Sequence, residues 1–435
     1  MPGPLGGTEL QKVLAVILDD DPTGTQSATD ASVLLDWDAG DIYSALSAEG
    51  AVYLQTNSRA VSADRARELA ERIRGQIRTV ERRLGQPVLV VLRGDSTLRG
   101  HVFTESDVFA GDDSRILFVP AFPQGGRRTR SSIHTVTIDG ADVPVGETEF
   151  ARDPVFGYHS SNLIEWTREV GDRKALPVPL DALRSTGGRA VADALAKAAP
   201  RELVIPDAES DADIELIRRG LIAALGAGVP VVVRSAATLA AACAGRLSTT
   251  YLARPVQREP GGVLVVCGSH TAAATAQLEY LAEQSGVQPV VIATTDALSD
   301  PEAAGRAATP RLHTDLTDTG LAIVATERNR RVEHDTLDDG AVVMRALMAA
   351  IVGLMPSVRT VVSKGGITSA EMARTGFGAR TARVRGQIAP GISVWDFTTA
   401  DRRGLQVIVP GNVGDNRALV DVLDALGIHR GEQAR

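Results

Sequence analysis

Three acids stand in a row at Asp19, Asp20 and Asp21, between the apolar run 15–18 and a Pro-Thr-Gly turn. Asp, Pro and Gly also make ordinary solvated turns. The cluster therefore reads either as a turn or as carboxylates that bind a cation or polarise a hydroxyl. A second dense stretch, residues 93–101, packs Arg93, Asp95, Ser96, Thr97, Arg99 and His101 into nine positions. Planar guanidinium groups grip carboxylates, hydroxyls read neighbouring hydroxyls, and Asp95 is placed to position or deprotonate one. Such a set suits a small polyhydroxy acid. The plainer alternative is a charged loop in which Ser96 or Thr97 caps the next helix. Three glycine-rich turns follow in the second half, at 268–271, 363–369 and 411–415. Adjacent glycines let a phosphate approach the backbone, and Thr368 or Ser369 is expected to cap a helix whose N–H groups face the anion. Each turn alone is an ordinary tight turn; three in one half read as a nucleotide phosphate cradle. There is no G-x-x-x-x-G-K-[ST] and no G-x-G-x-x-G, which sets aside a Walker A site and weakens a dinucleotide reading.

These residues need a scaffold that brings loop ends together. Short apolar runs at 12–18, 31–35, 51–56, 87–92, 115–120, 202–206 and 230–234 alternate with amphipathic stretches, and a second series runs 262–269, 289–294, 320–326, 359–366 and 405–412. Strands alternating with helices predict α/β architecture with mostly parallel sheets. In such sheets ligands sit at the carboxyl ends of strands, where the acid, Arg and Gly stretches fall. Residues 62–84 predict a helix capped by Ser62, with Leu69, Ile73, Ile77, Val80 and Leu84 on its apolar face. The Gly-, Arg- and Thr-rich stretch 121–165 is expected to be a long loop with a hairpin, a flap over the site. A Pro- and Gly-containing linker at 249–262 divides the chain into domains 1–254 and 255–435.

The bulk numbers agree. A chain of 435 residues favours two domains. The net charge of −8 argues against nucleic acid or an anionic membrane as partner. Cys243 and Cys267 are too few and too far apart for a disulfide framework, and the seven His (101, 134, 159, 270, 313, 334, 429) form no close metal-ligand pair. Neither a signal peptide nor an apolar stretch near the length of a membrane span is expected, which predicts a cytoplasmic protein. Lysine occurs only at 12, 174, 197 and 364, so Lys364 stands out inside its Gly-rich turn.

The constellation resembles the four-carbon acid sugar kinase family. The matching pieces are Asp20-Asp21-Pro22-Thr23-Gly24, residues 95–100 (Asp-Ser-Thr-Leu-Arg-Gly), Gly365-Gly366-Ile367-Thr368, Pro390-Gly391 and Gly411-Asn412-Val413-Gly414. Also similar are Asn57-Ser58-Arg59, Pro120-Ala121-Phe122-Pro123 with Arg127, and Gly268-Ser269. The resemblance implies an ATP-dependent kinase that converts threonate, erythronate or a 3-oxo-tetronate to its 4-phosphate, with an acid-sugar-binding domain at 1–254, a nucleotide-binding domain at 255–435 and the active site in the cleft between them. Asp20 or Asp95 would accept the hydroxyl proton. Asp21, Thr23, Asn57, Arg59, Arg93, Ser96 and Arg99 would bind the acid sugar. Ser269, Thr271, Gly365, Gly366, Ile367, Thr368, Gly411, Asn412 and Gly414 would hold ATP. Mg²⁺ is expected from the chemistry, bridging phosphates with mostly water ligands. Domain closure on binding both ligands is expected, and a homo-oligomer is left open. Two rival readings stand beside this one. Asp19, Asp21 and Thr23, with Asp415 and Asp421, imitate haloacid dehalogenase-like phosphatases, in which Asp19 would be a covalent nucleophile. A non-catalytic acid-sugar binding protein would use the Arg and hydroxyl groups alone.

Overall fold

A computed structural model describes residues 13–138, 140–257, 261–328, 336–399 and 403–428. Lys12, His334, His429 and part of the expected linker lie outside the described residues. The strand Ala15–Asp19 is buried along its whole length. Strands covered by helices on both faces lose the polar alternation and read as continuous apolar runs, which is why this one is legible. From one edge of the N-terminal half the spatial order is Ala175–Val178, Leu203–Pro206, Arg115–Val119, Val231–Ser235, Leu89–Arg93, Ala15–Asp19, Ala51–Gln55 and Ala31–Leu34, all parallel. The C-terminal half continues with Thr381–Ala389, Ile392–Thr398, Arg403–Val409, Val358–Lys364, Gly262–Cys267, Leu321–Thr326 and Val290–Ile292.

The two α/β halves are therefore present as expected, but their sheets are fused into one of 15 strands. The seam is the antiparallel pair Ala31–Leu34 with 381–384, where Ala31 faces Val384 and Leu34 faces Thr381. Two further antiparallel joints follow, and the rest of the C-terminal half is parallel. On one face an apolar layer runs unbroken across the seam, from Leu117, Val91, Ile17 and Tyr53 to Trp395, Val361 and Leu264. On the other face each half keeps its own layer. Trp395 Nε1 donates across the seam to Thr25 Oγ1 at 2.8 Å.

The helix Ala63–Leu84 forms as expected: Ser62 Oγ accepts from Arg65 N, and Gly85 ends the helix in the left-handed region at φ 68°. The stretch expected to be a long loop with a hairpin does contain hairpins, which join Arg127–Arg130, Ile133–Ile138 and Ala141–Pro144 into a small antiparallel sheet, and short helical turns follow it in place of open loop. One helical run, Leu337–Ser357, is long and apolar enough by composition to cross a membrane, contrary to the expectation that no such stretch exists. Ala346, Leu347, Ala350 and Ile351 are wholly buried within the fold, and the run packs on the helix Pro301–Thr319.

Candidate active site

Strand register levels the chemical residues into two rows. In the N-terminal half Asp19 lies beside Gln55 on one side and Arg93 on the other, and Arg93 lies beside Ser235. In the C-terminal half Lys364 lies between Cys267 and Val409. Both rows are carboxyl ends of parallel strands, so the loops leaving them meet above the sheet.

Arg93 organises the acid cluster. Its Nη1 lies 3.1 Å from Asp19 Oδ1, 3.0 Å from Asp20 Oδ1 and 3.1 Å from Asp21 Oδ1, and its Nη2 donates to Thr23 Oγ1 at 3.0 Å. Its side chain is 1% exposed. Arg93 thus stands behind the acids and holds them, and the expectation that it grips substrate is corrected: the cleft wall does not include it. Three carboxylates share one guanidinium here, and burial pushes Asp19 up to about 7 against the opposing pull of Arg93. The Asp19 carboxylate also lies against Gly24, where a Cβ would collide with it. A covalent nucleophile needs an open face. Asp19 is wholly buried, and Asp421 pairs with Arg417 on an exposed helix face, so the phosphatase reading is set aside.

Asp21 turns the other way. It caps the turn Pro22–Ser27, accepts from Thr23 N at 2.8 Å, and forms an ion pair with Arg59 on the cleft wall. Arg59 Nη1 reaches on to Asp95 Oδ2 at 3.5 Å. Asp95 accepts from Thr97 N at 3.2 Å, Thr97 Oγ1 at 2.5 Å and Arg99 Nε at 2.7 Å. Burial alone would raise its pKa, but Arg99 and Arg59 outweigh burial and hold it well below the usual carboxylate range. The helix after this loop, Val102–Phe109, is not capped by Ser96 or Thr97, whose positions fall within the loop itself. Asn57 sits in the left-handed region at φ 52°, and its buried Oδ1 has no hydrogen-bond partner.

The Gly-rich turns form the facing wall. A Cβ at Gly366 would collide with Asp21 Oδ2 and come within 3.1 Å of Arg59 Nη2, so the two halves touch at this glycine. Gly365 has φ 110°. It, not Thr368 or Ser369, occupies the cap position of the helix Gly366–Glu371; Ser369 Oγ donates back to Gly365 O at 2.7 Å. Thr271 caps the helix Ala272–Ser285 and donates to Gly411 O at 2.7 Å. Lys364 is not on the cleft wall but lies beneath the turn that begins at Pro410. Its Nζ donates to Pro410 O at 2.7 Å and Val413 O at 3.3 Å, and burial pushes it down to about 7.

The cleft between the walls has a volume of about 1790 Å³. Of the residues expected from sequence, Asp21, Thr23, Asn57, Arg59, Asp95, Arg99, Ser269, Thr271, Gly365, Gly366, Ile367, Thr368, Gly411 and Asn412 line it. Asp20, Arg93, Ser96 and Gly414 do not. Asp20 faces a small space behind the wall with Ser58 and Glu105, Ser96 O meets His134 Nε2 at 2.8 Å, and Gly414 packs on Ala418. Residues not foreseen on the wall include Phe150, Asp153 and Arg374. Arg99 ties two of them in, with Asp153 Oδ2 3.6 Å from its Nη1 and the Phe150 ring centroid 5.2 Å from its Cζ. The Gly-rich small sheet was the signal nearest to them. Among the described residues no group of three or more His, Cys, Asp or Glu is arranged to hold a metal ion.

Two fused α/β halves set a carboxylate–guanidinium wall from one half against Gly-rich turns from the other. Comparison with known families agrees: the family described as Sugar-binding N-terminal domain matches residues 15–243, more than half the chain, and that described as Nucleotide-binding C-terminal domain matches residues 264–419. The chain belongs to the four-carbon acid sugar kinase family. Two solved structures share the fold. Haemophilus influenzae protein HI1011 aligns with TM-score 0.58 and 16% identity, over 94% of this chain and 100% of its own. A Salmonella typhimurium LT2 protein provisionally named a tRNA synthase aligns with TM-score 0.66 and 15% identity, over 94% and 98%. A comparison with curated proteins returned no match.

Proposed function

We propose that this protein transfers the γ-phosphoryl group of ATP to the terminal hydroxyl of a four-carbon acid sugar (threonate, erythronate or a 3-oxo-tetronate) to give the 4-phosphate. The observation that carries the reading is the contact of Gly366 with Asp21 and Arg59, which sets a Gly-rich turn directly against the acid–guanidinium wall. Phosphoryl transfer is mostly placement and charge stabilisation, and in-line reach is what such apposition supplies. Residues 1–254 hold the acid sugar and 255–435 the nucleotide. Arg59 and Arg99 meet the sugar carboxylate, and Asn57 Oδ1 accepts from a sugar hydroxyl. Asp95, the one of the two expected bases on the cleft wall, orients the terminal hydroxyl and takes its proton as the new bond forms. Asp20 supports the wall from behind. The terminal hydroxyl is the least crowded acceptor, and a carboxylate fixed at the far end aims it at ATP. Mg²⁺ enters on the ATP phosphates as part of the substrate, with mostly water ligands.

The test is ATP consumption with Mg²⁺ over D- and L-threonate, D- and L-erythronate and the two 3-oxo-tetronates, with the product located by NMR. One acid is expected to turn over to its 4-phosphate. Asp95→Asn should lower kcat by about 100-fold or more while leaving ATP binding nearly intact, and Asp20→Asn should cost less. No turnover with any of the acids, or full turnover by Asp95→Asn, would show the substrate class or the base to be wrong.

A further inference from the structure

Every carbonyl of the turn from Pro410 to Gly414 is held by a side-chain donor from elsewhere in the molecule. Lys364 Nζ takes Pro410 O and Val413 O, and Thr271 Oγ1 takes Gly411 O. Gln277 Nε2 donates to Val413 O at 3.2 Å and Gly414 O at 3.1 Å. The remaining one, Asn412 O, accepts from Arg127 Nη2 at 2.8 Å. Arg127 belongs to the opposite half of the molecule, at the start of the strand Arg127–Arg130. With its carbonyls tied back, the turn leaves the N–H groups of Gly411 and Asn412 without a protein acceptor among the described residues, and both residues lie on the cleft wall. Backbone N–H groups left free in a turn are ligands for anions.

The charges beneath the turn agree. Arg127 is 4% exposed, its Nη1 donates to Gly125 O, and its Nε has no partner. Lys364 is wholly buried. Among the described residues neither cation has a carboxylate within ion-pair distance; both spend their protons on carbonyls. A cation taken out of water without a counter-ion is costly, and an arriving polyphosphate would offset that cost. The Arg127 strand is also tied to the acid-sugar loop: Thr129 Oγ1 lies 2.9 Å from His134 Nδ1, and His134 Nε2 lies 2.8 Å from Ser96 O. Loop 95–101, the Arg127 strand and the turn 410–414 are thus one chain of contacts.

We propose that Arg127 is a positioning residue acting across the cleft: Lys364 and Thr271 hold the peptides that carry the Gly411 and Asn412 N–H groups, and Arg127, by fixing the Asn412 carbonyl that follows them, locks the turn in the shape that presents those N–H groups to the ATP phosphates, so that nucleotide affinity depends on the acid-sugar half. This rests on the kinase reading above. The test uses the full chain and AMP-PNP with Mg²⁺, titrated by calorimetry. Arg127→Met should weaken AMP-PNP binding about tenfold or more, the scale of one lost charge-assisted hydrogen bond. KM for ATP should rise in parallel while KM for the acid sugar stays within about threefold. Arg127→Lys, which keeps a donor and the charge, should recover part of the loss; it also carries the comparison, together with Arg127→Gln, if the Met variant does not fold. AMP-PNP binding that is unchanged in Arg127→Met, or an effect confined to the acid-sugar KM, overturns the inference while the kinase reading stands. A wild-type protein that binds no AMP-PNP overturns both.

Discussion

Asp19 shows how far a neighbourhood can move one carboxyl. Its folded pKa of about 7 lies above the model-compound value of 3.8, so between these values the folded chain keeps a proton that the unfolded chain has released. Linkage then makes stability fall as pH rises from about 4 to about 7 and level off beyond. Asp19→Asn should flatten that window, which urea-unfolding midpoints at a series of pH values would read. Parallel profiles for the two proteins would show that Asp19 is not the titrating group. The three acids were legible as an anomaly, because a plain turn does not need them. Their separate duties were not. Which acid faces the cleft and which lies behind it is set by Arg93, whose place beside Asp19 comes from strand register between residues 74 positions apart. Arg93 was misread for the same reason: a guanidinium in a sequence advertises a ligand, and only burial shows that it is already spent on three carboxylates.

At the level of elements, the glycine turns are spacers between walls. Ala at 366 would set a methyl group against Asp21 and Arg59, which are pinned by Arg93 and Asp95. Overpacking of this kind costs about 1–3 kcal/mol, and here it also pushes the walls apart. Gly366→Ala should therefore lose about 100-fold in kcat/KM, since a misplacement near 1 Å has that effect. Gly75→Ala is the control, as its Cβ would meet nothing within 4 Å. Full turnover by Gly366→Ala would remove the turn from the reaction path. The parallel strands were readable because both faces are apolar. The strands Thr381–Ala389 and Ile392–Thr398 escaped notice although Ala382 and Val384 alternate with Arg383 and Arg385, a period-2 signal. Of the small sheet 127–144 only a hairpin was legible. Its buried positions are Arg127, Thr129 and His134 as well as Val136, so burial there does not follow hydrophobicity.

For the whole molecule, the fused sheet changes what closure can be. A hinge at the linker 249–262 would let the halves swing freely, but the seam pairs at 31–34 and 381–384 and the Arg127–Asn412 contact hold them on both sides of the cleft. Closure on ATP and acid sugar should then be a twist of the sheet, a shear rather than a hinge motion. Small-angle scattering should show a small but measurable fall in radius of gyration, below about 1 Å, when both ligands bind. Identical profiles would deny closure, and a change of several ångströms would restore the hinge.

The seam also carries a cost in time. Strand Ala31–Leu34 leaves the ribosome about 350 residues before its partner at 381–384. At about 5–20 residues per second its edge waits bare for roughly 20–70 s. A bare edge invites pairing with other chains, and charges at its ends discourage that. Asp30 and Asp36 bracket this strand. When the late strand arrives, Arg383 Nε donates to Asp30 Oδ1 at 3.0 Å and Arg380 Nε to Asp36 Oδ2 at 3.0 Å. The acids that would ward off strangers during synthesis are thus the ones that receive the proper partner.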